Sequence, residues 1–226
     1  MIFEFGEPLV FLSMGLGFII AVLAHNLAQT LTARALGDPV ARMSRRNVLE
    51  PKREFDAFGI IAMIVGGLGW GRQVELAEPR MRAARSRYFM TLLAGPAADI
   101  VIGIAALATY ALLATGGRLS STRAAQVAID NSAGLTVLSV AGFVCLSIGL
   151  LYLVPLPPLD GARIMWALAP PTPGWQKARY NLEEQNYGLG ALVLLSLPIF
   201  GNQGLIVRIV NAVAQPIAGA VINAIV

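Results

Sequence analysis

The sequence predicts an all-α polytopic membrane protein that forms a single integral-membrane domain over residues 1–226. Hydrophobic residues make up 56% of the chain and charged residues 13%, and the mean hydropathy is +0.67, unlike a soluble domain. Several apolar runs approach or exceed the roughly 20 residues that a helix needs to cross a hydrocarbon core of about 30 Å. The lipid bilayer is therefore the predicted environment. The net charge of +4 is too small to predict binding to nucleic acid.

Four apolar runs are predicted to cross the membrane. They are residues 8–36, 88–115, 132–154 and 187–200. The last run is short and contains Pro198 near its end. The apolar stretch 202–226 carries Arg208, Asn211 and Gln215 along one helical face. We therefore expect an interfacial helix at the C-terminus, with a further span as the alternative.

The apolar run 58–70 lies between the first two predicted spans and is unlike them. It has only 13 residues and contains Gly59, Gly66, Gly67 and Gly69. This is too short and too rich in glycine for a helix that crosses a membrane. A re-entrant segment, sheltered by protein on its way in and out, fits the pattern better.

Basic residues flank the run 58–70 on both sides. They are Arg34, Arg42, Arg45, Arg46, Lys52 and Arg53 before it and Arg72, Arg80, Arg82, Arg85 and Arg87 after it. Basic loops prefer the cytoplasmic side, and a re-entrant segment places both groups there. The sequence thus predicts a multi-pass protein of the cell membrane with its N-terminus, which carries Glu4 and Glu7, outside.

Three ionisable residues fall inside apolar runs. They are His25, Asp99 and Asp160, and the predicted topology places all three at a similar depth. Ionisable groups at membrane depth are costly and usually face a partner or a cavity. Two interpretations are open: the groups bond to one another and orient the helices, or they form a metal site.

The first predicted span contains an altered metal-binding pattern. In H-E-x-x-H, two histidines on one helix face bind zinc and the glutamate activates the metal's water. The stretch 23–36, LAHNLAQTLTARAL, has His25 but carries Asn26 at the glutamate position and Gln29 at the second histidine. The stretch has polar residues at the three positions of the motif, but it lacks the glutamate and the second histidine.

An ordered series of motifs resembles the site-2 protease family of intramembrane zinc metalloproteases. After His25 the series continues with ARALGDPVAR at 33–42, EFDAFG at 54–59, LGWG at 68–71, LAGPAAD at 93–99 and YLVPLPPLDG at 152–161. The resemblance implies the transmembrane core of that family, with a short re-entrant segment.

The resemblance also implies residue roles. The family's three zinc ligands correspond to His25, Gln29 and Asp160, and its general base to Asn26. Two asparagines, which are thought to help hold the substrate in the family, are replaced by Asp99 and Tyr152 in the polar cleft. We expect His25 and Asp160 to lie within direct or water-bridged hydrogen-bonding distance, with Gln29 or Asn26 completing the cluster.

These departures predict a catalytically inactive homologue, a pseudoprotease. An amide oxygen is a poor zinc ligand, and Asn26 cannot accept a proton, so we expect no cofactor and treat His25, Gln29 and Asp160 as vestigial ligands. The protein would act as a subunit, scaffold or regulator of another integral membrane protein. One alternative is an active intramembrane zinc endopeptidase with an atypical site. Another is a proton or ion relay through Asp99 and Asp160.

Overall fold

The computed structural model of the protein describes residues 7–43, 51–77, 85–118, 132–199 and 203–225. Within them the chain is mainly helical. The helices are α1 (Pro8–Ala35), α2 (Pro39–Met43), α3 (Pro51–Glu54), α4 (Ala57–Gly66), α5 (Arg85–Arg118), α6 (Ala133–Tyr152), α7 (Asp160–Leu168), α8 (Pro173–Arg179), a π-helix (Tyr180–Glu184), α9 (Tyr187–Ser196) and α10 (Leu205–Asn223). The predicted class, an all-α polytopic membrane protein, is confirmed.

Four of the described helices are long and apolar enough to cross a membrane, namely α1, α5, α6 and α10. The first three correspond to the predicted spans 8–36, 88–115 and 132–154. The fourth differs from the prediction. The stretch 187–200 forms α9 with 10 residues, or about 15 Å, which is half of a hydrocarbon core.

The C-terminal stretch supplies the fourth long helix instead. Helix α10 has 19 residues, with a mean hydropathy of 1.8 over its most apolar 18-residue window, so its length and composition favour the alternative, a further span, over an interfacial helix. Pro216 lies inside α10 without ending it. Arg208 is exposed in the first turn of the helix, where a long side chain can reach the membrane surface.

Helices α1, α5 and α6 pack against one another through small residues. A Cβ added to Gly17 of α1 would lie 2.8 Å from the Cα of Ala141, and one added to Gly103 of α5 would lie 2.6 Å from the Leu146 amide nitrogen. Small residues at such crossings let helix backbones approach closely in membranes. The buried Cys145 thiol donates to the Gly17 carbonyl at 3.4 Å, which adds a polar contact at the same crossing.

The predicted re-entrant run folds as a hairpin. Asp56 caps the start of α4 by accepting from the Gly59 amide at 3.0 Å, and Gly67 ends the helix at φ +88°. The chain then returns, so that Phe55 and Gly71 form an antiparallel bridge and the Arg72 amide donates to the Glu54 carbonyl at 2.8 Å. The two ends of the run therefore meet, as a re-entrant segment requires.

The side of the membrane on which these ends lie stays a prediction, and Arg45, Arg46, Arg80 and Arg82 fall outside the described residues. Single cysteines at positions 46 and 82, in a Cys145→Ala background, test it with a membrane-impermeant thiol reagent. We expect both to react from the cytoplasmic side because both flank the hairpin, while a cysteine at Glu4 reacts from the other side. Labelling of positions 46 and 82 from opposite sides would mean that the run crosses the membrane.

The hairpin depends on close contact between its two arms. A Cβ at Gly59 would collide with the Trp70 backbone, so we expect Gly59→Ala to lower the free energy of unfolding by about 1 to 3 kcal/mol. Gly15→Ala is the matched control, since a Cβ there meets nothing within 4 Å. Thermal unfolding in detergent measures both variants, and an equal effect of the two would contradict the packing described.

Candidate functional site

Helix α1 presents its polar residues on one buried face. His25 and Gln29 are each 1% exposed and Asn26 is 3% exposed. Residues four apart on a helix lie on the same side, so His25 and Gln29 point into the same region between the helices. In most membrane helices the face that packs against other helices is apolar. In α1 this buried face carries three polar side chains.

The His25 imidazole bridges two carboxylates. Its Nδ1 lies 2.8 Å from Asp99 Oδ2, and its Nε2 lies 2.7 Å from Asp160 Oδ2. The predicted approach of His25 and Asp160 is confirmed by this direct contact. Each nitrogen–oxygen contact requires one hydrogen, carried by the ring or by the carboxyl group, so the three groups form a continuous hydrogen-bonded chain.

Two neighbours fix the plane of the His25 ring. The ring stacks on Tyr152, with centroids 3.7 Å apart and an angle of 26° between planes. Gly95 of α5 lies against the same imidazole, and a Cβ at that position would collide with it. The LAGPAAD motif therefore has a packing role here, because its glycine makes room for the histidine and its aspartate then contacts it.

Gln29 acts as a hydrogen-bond donor. Its Nε2 lies 2.6 Å from Asp160 Oδ2 and 3.3 Å from the Leu92 carbonyl oxygen. Both neighbours offer acceptor lone pairs, and the amide nitrogen faces them so that its N–H groups satisfy both. A metal ligand needs a lone pair at this point, and Gln29 presents two N–H groups.

Asn26 contacts a carboxylate that the sequence analysis did not single out. Its Nδ2 donates to Glu54 Oε2 at 2.6 Å, and Glu54 is only 2% exposed. Glu54 is the first residue of the EFDAFG stretch, so the motif pointed to the segment but not to this side chain. The pairing could not be read from spacing, because it depends on where the hairpin returns to α1.

Tyr152 joins the end of α6 to the hairpin. Its hydroxyl accepts from the Gly71 amide at 2.7 Å, and the residue is 2% exposed. The resemblance assigns this position to an asparagine that helps to hold the substrate. Here it is occupied by a large ring, which stacks on His25 and bonds to Gly71 at the end of the hairpin.

Asp160 opens helix α7 and lies beside a buried arginine. Arg163 Nη1 is 3.8 Å from Asp160 Oδ1 and donates to the Val74 carbonyl at 3.1 Å. The side chain of Arg163 is 8% exposed, so its charge acts in a region of low dielectric. Asp160 therefore has polar neighbours on both of its oxygens: His25 and the Gln29 amide are hydrogen-bonded to Oδ2, and the Arg163 guanidinium lies within ion-pair distance of Oδ1.

The arrangement does not fit a zinc ion. Within the described part of the chain, no three His, Cys, Asp or Glu side chains are grouped as a metal site. Asp99 and Asp160 lie at opposite nitrogens of the His25 ring, so they cannot both join it around one point. Zinc sites need at least three strong ligands. The resemblance assigns one of the three to Gln29, which presents N–H groups instead.

The structure defines a helical protein with four described helices long and apolar enough to cross a membrane, and with a buried polar cluster between α1, α5 and α7. Residues 13–196 match the family model described as Peptidase family M50. The chain therefore belongs to this family, the site-2 proteases.

The chain is also similar to a curated protein of Bacillus subtilis (strain 168) that is named "Putative zinc metalloprotease YwhC". The two are 26% identical over 210 residues, which cover 88% of this chain and 91% of that protein. No solved structure matches the chain.

Restoring the missing histidine tests the description of the site. We expect Gln29→His to raise zinc affinity at least tenfold, because a third strong ligand would join His25 and Asp160. Isothermal titration of purified protein in detergent measures the change, with Gln176→His, on the exposed surface of α8, as the control. Unchanged zinc affinity in Gln29→His would show that the three positions do not converge as described.

Proposed function

We propose that the protein is a catalytically inactive member of the site-2 protease family that acts as a membrane subunit, scaffold or regulator of another integral membrane protein. The observation that carries the proposal is the donor role of Gln29. Its amide N–H groups point at Asp160 and Leu92, so the position of the second zinc ligand is filled by a hydrogen-bond donor.

The general-base position adds to this argument. Base catalysis typically contributes 10²- to 10⁴-fold to a rate, and Asn26 has no proton-accepting group to supply it. Its amide instead donates to Glu54. Asn26 and Gln29 thus serve as donors in a buried hydrogen-bonded network. This is a structural role at positions that the family resemblance assigns to catalysis and zinc binding.

The proposed partner is another integral membrane protein. It would bind to the helices within the bilayer or to the basic loops. We place the protein in the cell membrane, with its N-terminus outside and the basic loops cytoplasmic. No cofactor is part of the proposal.

A second candidate function is an active intramembrane endopeptidase, and one observation favours it. Glu54 brings a buried carboxylate to within 2.6 Å of the Asn26 amide, so a proton acceptor lies beside the position that lost one. The name of the Bacillus subtilis relative points the same way. Glu54→Gln separates the candidates, because only an active enzyme would lose cleavage of a membrane substrate.

A relay of protons or ions has weaker support. Asp99, His25 and Asp160 form a connected chain, but they are 0%, 1% and 2% exposed. The chain therefore does not itself reach a surface at either end.

The proposal predicts that His25 and Asp160 support stability rather than turnover. His25→Ala would leave Asp99 without a partner, since its Oδ1 already has none among the described residues. Each unpaired buried group costs about 1 to 3 kcal/mol. We therefore expect His25→Ala and Asp160→Asn to lower the unfolding temperature and the cellular abundance of the protein.

Abundance, partner co-purification and cleavage of a membrane substrate should be measured in parallel for both variants. Thr109→Ala, exposed on α5, is the control and should behave as the native protein does. Normal abundance and partner binding, together with a cleavage product that disappears in both variants, would reverse the proposal.

A further inference from the structure

A cavity lies away from the His25 cluster. It has a volume of about 290 Å³ and opens between α1, α6, α10 and the turn of the hairpin. Ser147 of α6 lines it, five residues before Tyr152, which is about 7 Å along the helix axis. The cavity is therefore a separate feature, closer to the N-terminal end of α1 than the polar cluster is.

One residue that lines the cavity has an unpaired buried hydroxyl. Ser147 is 0% exposed, and its Oγ has no hydrogen-bond partner among the described residues. Buried hydroxyl groups are normally hydrogen-bonded, because an unsatisfied one costs about 1 to 3 kcal/mol. An unpaired hydroxyl on a residue that lines a cavity indicates a place where an outside group can bond.

Helix α10 brings amides to the same cavity. The cavity is lined at intervals of four residues by Gln203, just before the helix, and by Val207, Asn211 and Gln215 along it. All but Val207 carry a side-chain amide. The three that lie on the helix cover about 12 Å along one side of it. Gln215 is exposed, and an amide on a helix that crosses a membrane favours a hydrogen-bonded partner from another helix.

The lining restricts the kind of group that can bind. Among the described residues that line the cavity, none is charged, so an ion or a charged head group would find no opposite charge. Hydroxyl and amide groups both donate and accept. At about 30 Å³ for each water, the volume of about 290 Å³ is ample for a side chain as large as glutamine.

We propose that this cavity binds an uncharged hydrogen-bonding side chain, such as Asn, Gln, Ser or Thr, carried by a transmembrane helix of the partner protein. The inference rests on the proposed function for the existence of a partner in the membrane. It adds where that partner docks and which chemistry selects it. Ser147, Asn211 and Gln215 supply the contacts, and the exposed edge of α10 is the side from which the helix approaches.

A synthetic transmembrane peptide tests the proposal. The probe is a Leu/Ala helix with lysines at both ends and one central Gln, and its control has Leu at that position. Association with the full-length protein in phosphatidylcholine vesicles is measured by energy transfer. We expect the Gln peptide to bind about threefold more tightly than the Leu peptide, the size of a typical interhelical hydrogen bond.

Variants assign that difference to the cavity. Asn211→Leu and Ser147→Ala should remove it, whereas Val213→Leu, an exposed position of α10 outside the cavity lining, should retain it. Ser147→Ala should not lower the unfolding temperature, because the hydroxyl it removes is unpaired. Equal binding of the two peptides, or a preference that survives both cavity variants, would overturn the proposal.

The same experiment keeps the two hypotheses apart. The mass of each peptide after incubation reports cleavage independently of binding. A Gln peptide that is bound selectively and cleaved would refute the inactive role but support the cavity. A peptide that stays intact and shows no preference for the protein would refute the cavity and leave the inactive role standing.

Discussion

The hydrogen-bonded bridge from Asp99 through His25 to Asp160 is the interaction on which the interior depends. It joins α1, α5 and the start of α7 through contacts of 2.8 and 2.7 Å. Inside a protein that crosses a bilayer, none of these groups can be exposed to lipid without a large cost. Each therefore requires the others, and the three elements are held at one relative position. Breaking such a network is costly because of the partners that it leaves unpaired.

Several close approaches are needed for the bridge to form, and they are independent of any reaction. Gly95 leaves space for the His25 ring, and Gly161 lets α7 lie against the backbone of the proline-rich turn at Leu153 and Val154. Tyr152 covers the ring and ties it to Gly71. Three positions of the motif series, Gly95, Tyr152 and Gly161, thus have packing roles here.

The sequence was sufficient for the parts of the fold that depend on length and hydropathy. Helices α1, α5 and α6 follow from long apolar runs, and the hairpin follows from a short run with glycines. The exchange of α9 for α10 as the fourth long helix was not predictable in this way. Both runs are apolar, and their lengths are set by where turns form near Pro198 and by Pro216 being tolerated inside α10.

The contacts of the candidate site also fall into two groups, those that the sequence predicted and those that it did not. The meeting of His25 and Asp160 followed from the cost of burying ionisable groups and from the motif resemblance. The contact of Asn26 with Glu54 and the orientation of the Gln29 amide did not, because each depends on atoms from another element. The Gln29 amide is oriented by two acceptors, the Asp160 carboxylate and the Leu92 carbonyl, and no pattern in the sequence specifies that carbonyl.

The central claim is that the hydrogen-bonded network occupies the place of a metal centre. The zinc content of the native protein tests it most directly, measured by elemental analysis after expression with added zinc and brief treatment with a mild chelator. The account predicts far less than one zinc per chain, because the position of the second zinc ligand carries the N–H groups of Gln29. Close to one zinc per chain would contradict it and favour a working metalloprotease.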